Sequence, residues 1–279
     1  MNVFYSLLSF ILFSALCSSC NVINPTEQIP TYIRIDSFRF AGDSSLGTAA
    51  QKITSVRVNY ENQTVGTFDL PALVPVLMDK RGVIALTPGV MYDGLQDVQI
   101  SYPFFRTVTD TLEPAPGQTI TMMPTTRYYG TDVFTPIIVD FEGNYNPFLS
   151  LSGDTTFGLD NADAFEGDAC LKMRLNSSEE MEIILQKDFS STPTGFVELH
   201  YKNSVPFAVG LQSTDGSTLF IEYFIGIKPQ EGWNKIYISL SDFIFQHPLK
   251  TYRLVLKAMP ETNAGGYVSI DNVKILCGL

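Results

Sequence analysis

The chain has 279 residues, 45% hydrophobic and 17% charged, with a formal net charge of −11. That apolar content supports a packed core and excludes a disordered chain. The acidic balance excludes a basic nucleic-acid surface and a polybasic membrane patch, so no nucleic-acid partner is expected. Two His and four Cys leave little material for a catalytic zinc centre.

Residues 4–16 form an apolar run interrupted only by serines. It is too short to span a bilayer, which takes roughly 20 residues, and it suits the hydrophobic region of a secretory signal. Leu16-Cys17-Ser18-Ser19-Cys20 follows. This stretch resembles the loose lipobox of Bacteroidetes-type lipoproteins, although Cys17 stands where Leu is usual. The resemblance implies a signal peptide over residues 1–19, lipidation at Cys20 and an outer-membrane address, with the lipid as the membrane partner. The competing readings are a plain secretory signal cut near Ser19 and a buried apolar strand. Residues 20–30, with Pro25 and Pro30, read as a tether.

Beyond residue 30 the dominant period is two, and β-branched and aromatic residues are abundant, so the chain is expected to be all-β. Residues 31–127 carry eight short strand patterns separated by turns, among them hairpins at Glu61-Asn62-Gln63 and Asp79-Lys80-Arg81-Gly82. They suggest a small antiparallel sandwich of immunoglobulin-like or transthyretin-like pattern. Tyr32-Ile33-Arg34-Ile35-Asp36 and Tyr102-Pro103-Phe104 resemble the N-terminal part of Bacteroidetes-type lipoproteins. Residues 128–135 read as a linker.

Residues 136–279 read as a second antiparallel sandwich. Four landmarks occur in order: Asp140-Phe141-Glu142-Gly143, Phe165-Glu166-Gly167-Asp168, Gly232-Trp233-Asn234 and Ile270-Asp271-Asn272-Val273. Together they resemble the jelly-roll domains of carbohydrate-binding modules and galactose-binding-like proteins. The resemblance implies a structural Ca2+ held by Glu142, the segment around Asp168, and Asp271, since calcium takes several hard oxygens. The alternative is that these acids are solvated strand ends. It also implies glycan contact by exposed rings, for which Tyr201, Tyr223 and Phe224 are the candidates, with Trp233 expected in packing. In a chain with 20 Phe and 13 Tyr, most rings must be core.

No catalytic set emerges. His200 and His247 lack metal spacing, and no Gly-x-Ser-x-Gly elbow occurs. Cys170 and Cys277 are open to a disulfide in an exported protein or to two buried thiols. Asp110-Thr111-Leu112 and Asp154-Thr155-Thr156 match a short bacterial O-glycosylation pattern, at Thr111 and Thr155. The expected function is a non-catalytic, lipid-anchored envelope protein that binds a glycan through the jelly roll. The alternatives are a structural subunit docked on an outer-membrane protein partner and, last, a glycoside hydrolase-like enzyme.

Overall fold

Strand after strand buries every second side chain: β1 (Thr31–Ile35) turns Thr31, Ile33 and Ile35 inward and Arg34 to solvent. In this computed structural model the described residues are 27–278, apart from 96, 154–155, 177, 191–193, 215, 249–250 and 262–264. The expected signal peptide over residues 1–19, Cys20 and Thr155 lie outside the described residues.

The N-terminal half contains β2 (Arg39–Phe40), β3 (Ser55–Tyr60), β4 (Gln63–Asp69), β5 (Ala72–Val76), β6 (Gly82–Met91), β7 (Gln99–Ser101), β8 (Val108–Leu112), β9 (Thr119–Met122) and β10 (Thr125–Thr126). One sheet has the order β5-β1-β9, and the other β4-β3-β6-β7 with β8 also on β6. Ile33, Ile35, Val74 and Val76 of the first meet Val56, Val58, Ile84 and Leu86 of the second, and all eight are buried. Each such side chain contributes roughly 1.5–3 kcal/mol by leaving water. The β3–β4 hairpin closes with Glu61 and Asn62, both at positive φ (47° and 64°), the geometry of the two-residue turn that matches strand twist. Two short ladders are parallel rather than antiparallel, β1 with β9 and β2 with β10.

The C-terminal half begins at β11 (Phe134–Val139) and continues through β12 (Phe148–Ser152), β13 (Phe157–Asp160), β14 (Cys170–Leu175), β15 (Met181–Leu185), β16 (Gly195–Asn203), β17 (Phe207–Thr214), β18 (Leu219–Ile227) and β19 (Gln230–Ser239). A short helix, α1 (Ser241–Gln246), precedes β20 (Thr251–Ala258) and β21 (Gly266–Gly278). Two antiparallel sheets face each other as a jelly-roll sandwich, β13-β14-β21-β16-β19 with β11 also on β21, and β12-β15-β20-β17-β18. Leu199, Ile270 and Ile275 of one sheet pack on Ile183, Leu211 and Leu254 of the other. The thirteen-residue β21 takes β14 along its first part and β11 along its second, with β16 on its other side throughout. Asn272 sits between those two stretches at φ 49°, beside an irregularity in the β16 register.

The two halves share a third core. Phe196, Tyr237 and Leu276, on the outward face of the β21 sheet, pack with Tyr102, Phe104, Phe105, Tyr128 and Phe134. Tyr102 meets Phe196 and Tyr237 edge-on, with ring centroids 5.1 and 4.9 Å apart. Tyr128 and Phe134, at either end of the stretch read as a linker, are both buried.

Candidate functional site

The covered and the open face of the C-terminal sandwich define where a ligand can act. On the covered face, alternation along β16 puts Glu198 and His200 outward between Phe196 and Lys202; the N-terminal half closes over Glu198, and Phe165 covers His200. Glu198 stands opposite Tyr237 on one side and Lys274 on the other. Its carboxylate pairs with Lys235 Nζ at 2.8 Å and accepts hydrogen bonds from the hydroxyls of Tyr102 (2.7 Å) and Tyr128 (2.8 Å). Lys235 Nζ also donates to Gln51 Oε1 and the Ala50 carbonyl, and Lys274 Nζ to the Thr48 carbonyl. Burial alone would raise the Glu198 pKa, but Lys235 and Lys274 outweigh it and hold the group below its ordinary value. This is a complete, water-excluded polar network joining the halves.

The opposite sheet turns a second face outward. Across it run Leu149 of β12, Ile184 of β15, Val255 of β20, Gly210 of β17 and Tyr223 of β18. A Cβ on Gly210 would lie 2.8 Å from Tyr223 Cδ1, so glycine lets the ring lie against the sheet. Lys257 Nζ sits 5.6 Å from the centre of that ring and pairs with Glu180 (2.5 Å) and Glu182 (3.6 Å). Burial and then the Glu182 charge raise the Tyr223 phenol pKa. Arg253, paired with Asp188, extends the polar border. Leu149 and Ile221 remain 50% and 39% exposed. Among the described residues no other sheet covers this face.

The three candidate rings therefore part company. Tyr201 is a correction: it is core, 7% exposed, because it shares inward parity with Val197 and Leu199. Phe224 is corrected too. A bulge opposite Val209 and Gly210 turns it inward, where it packs on the core and Phe243 (5.4 Å). Tyr223 alone stands on the open face. Trp233 meets Phe165 edge-on at 5.9 Å, as expected of packing.

Glu142, Asp168 and Asp271 do converge on one loop. Both Glu142 carboxylate oxygens accept the Asp168 N–H (2.9 Å each), and Asp271 Oδ2 accepts from the N–H groups of Phe165 (2.9 Å) and Glu166 (3.4 Å). Gly167 makes the approach feasible, since a Cβ there would fall 2.1 Å from Glu142 Oε1. Asp271 is fully buried, and burial, with Glu142 adding its charge, pushes its pKa up to about 7. Neither acid has an ion pair with a basic side chain among the described residues. Hard oxygens with uncompensated negative charge are the kind of donor calcium takes, and here both Glu142 oxygens and Asp271 Oδ2 already accept backbone N–H groups. No three His, Cys, Asp or Glu side chains group together among the described residues, so backbone carbonyls and water would complete the shell.

The disulfide reading is overturned: Cys170 and Cys277 are both buried thiols with no disulfide between them. Pairing of Leu171 with Ile270 aligns Cys170 near Asp271, six residues along β21 from Cys277. That separation is about 20 Å, whereas a disulfide needs Cα atoms within about 7 Å. Cys170 Sγ instead donates to the Asp163 carbonyl at 3.4 Å. Thr111 is exposed on β8. His200 is stacked on Phe165 at 3.9 Å, and burial lowers its pKa to about 3. His247 lies far along the chain, against Phe243 and Glu222.

The sequence reading missed the covered network altogether. Its signal is three charged residues, Glu198, Lys235 and Lys274, each followed or flanked by apolar residues within a long strand. No protein-family model matches the chain, and no curated protein matches it. Among solved structures, a family 61 carbohydrate-binding module in complex with β-1,4-galactotriose is similar at TM-score 0.34 and 15% identity, over 49% of this chain and 92% of that one. A family 29 module from Piromyces equi is similar at TM-score 0.37 and 13% identity, over 52% and 91%. A family 30 module is similar at TM-score 0.38 and 13% identity, over 52% and 85%. Likeness at this level carries no argument about ligand or site.

Proposed function

We propose that this is a non-catalytic, glycan-binding envelope protein, anchored by lipid at Cys20, that meets its saccharide on the open face of the C-terminal sandwich. The observation that carries the reading is Tyr223, a half-buried ring laid against Gly210, with Lys257, Glu182 and Arg253 at its border. An aromatic ring gives a sugar a flat apolar platform, and neighbouring charged groups supply hydrogen bonds to its hydroxyls. Calcium at Glu142 and Asp271 pins strand ends in this reading and takes no part in chemistry. The test is titration of the full chain against a broad panel of neutral and acidic oligosaccharides, repeated with Tyr223→Ala. Binding that falls at least about tenfold in the variant supports the reading, the scale of one lost stacking contact and its neighbours. A flat panel, or affinity indifferent to Tyr223, ends it. Loss of membrane association in Cys20→Ser checks the anchor separately.

A second reading, docking on an outer-membrane protein, is favoured by one feature: Leu219 and Phe220 on edge strand β18 and Phe245 on α1 are 59%, 51% and 86% exposed. Purification from mild detergent with a stoichiometric partner would move the weight there.

A further inference from the structure

A cleft of about 620 Å³ opens in the N-terminal half, away from the face just described, between the loop at residues 41–46 and the extended segment 127–131. Its volume lies within the range of small-molecule sites. Two arginines line it, and the backbone makes them neighbours. Phe105 and Tyr128 form an antiparallel bridge, and the Arg106 N–H donates to the Arg127 carbonyl at 2.8 Å. Arg106 and Arg127 are thus directly opposite each other, and alternation sends both side chains to the same side. Phe105 and Tyr128 fill the core on the other side.

Like charges directly opposite on adjacent strands repel. In a chain of net charge −11, such a pair would be expected to draw a carboxylate. Neither guanidinium has an ion-pair partner among the described residues. Arg106 is held instead over the Tyr129 ring, 5.4 Å from its centre. The one acid in the lining, Asp43, is turned to its own loop: its Oδ1 accepts from the Ser45 N–H (2.9 Å) and the Ser45 hydroxyl (2.7 Å). Those hydrogen bonds hold its pKa below the usual value. The rest of the lining is rich in hydroxyl and backbone polar groups, including Ser44 and Thr131.

We propose that this cleft is a binding site for an acidic saccharide, whose carboxylate or sulfate group is taken by the paired forks of Arg106 and Arg127. Each guanidinium carries the bidentate donors that planar and tetrahedral oxyanions accept. The Tyr129 ring and the hydroxyl-lined wall receive the hydroxyl-rich body. The site is independent of the Tyr223 face.

The test is calorimetric titration of the full chain with trigalacturonate, sucrose octasulfate and neutral galactotriose, at low and at physiological salt. Binding of either acidic probe, weakened by salt, supports the site, and which probe binds distinguishes a uronate from a sulfated ligand. The Arg106→Ala, Arg127→Ala double variant should lose at least about tenfold in affinity, the scale of one charge-assisted hydrogen bond. Tyr223→Ala should leave acidic binding unchanged, which separates this site from the open face. Relief of like-charge repulsion should keep the double variant folded; should it melt early, the single Arg127→Gln variant serves with the same expectation. No binding by either acidic probe overturns the proposal. So does equal affinity for the neutral probe in the Tyr223→Ala variant, or affinity unchanged in the arginine variants.

Discussion

On one outward face of the C-terminal sandwich, Glu198, Lys235 and Lys274 lie beneath Tyr102 and Tyr128. On the other, Glu182 and Lys257 carry the same kinds of charge beside a half-buried Tyr223. Both faces come from alternating strands with an apolar inner side, and the difference lies in what closes over them. Under the N-terminal half each charge has lost its water and has been given protein partners in its place. A network of that kind is stable only when whole, because removing one member strands the rest. On the open face Glu182 and Lys257 stay partly exposed, so they keep water in reach, can be removed cheaply and are available to a ligand.

The largest break should come from Glu198→Ala. It leaves Lys235 and Lys274 buried without a counter-charge, and the expected loss is about 3–5 kcal/mol in urea unfolding. A loss below about 1 kcal/mol would mean that water reaches the network and that the halves are not sealed together. Next in size is the calcium corner. Titrating calcium back into chelator-treated protein should raise the melting temperature, by the equivalent of about 2.7 kcal/mol at one hundred times the dissociation constant. Glu142→Gln should abolish most of that rise, and a melting curve blind to both chelator and calcium removes the ion from the account.

His200 sharpens the comparison through pH. Burial takes its folded-state pKa from an ordinary 6.5 down to about 3. The unfolded chain therefore binds the proton first as pH falls. Stability is intact above about pH 6.5 and is lost progressively toward pH 3. His200→Gln should flatten that part of the stability curve, and an unchanged slope would show that other groups set it. The smallest effect belongs to the open face: Lys257→Ala should change stability by no more than about 1 kcal/mol. A larger change would mark this face as structural rather than free for a ligand.

Much of the architecture was legible because its signal is local. Period-two alternation identified the all-β class, and the Glu61-Asn62 turn marked its hairpin. Glu142, Asp168 and Asp271, more than a hundred residues apart at the extremes, were named through the resemblance; in the structure the Glu142 and Asp271 carboxylates both accept backbone N–H groups of the loop that carries Asp168. Tyr201 was misassigned although parity with Val197 and Leu199 already pointed it inward. Phe224 was a different case, because the bulge that turns it depends on pairing with β17, and no residue of β18 announces it. The distance between Cys170 and Cys277 likewise follows from the register of β14 on β21, which a linear pattern does not encode. The covered network was invisible for a related reason: Glu198, Lys235 and Lys274 lie on three strands, and their meeting depends on the sheet order and on the partner half that closes above them.

The strand that joins these features is β21. It borders β11, β14 and β16, carries Asp271 and Lys274, and sends Leu276 into the core between the halves. A chain emerging from its N-terminus holds β11, β14 and β16 long before the strand that separates them has arrived. Until then their inward residues have no central partner, and neither sheet order nor the seal between the halves can be completed. Sheet order in the C-terminal half and the seal between the halves therefore hang on one strand, and a truncation that removes β21 takes away the only element that pairs with β11, β14 and β16 at once among the described residues.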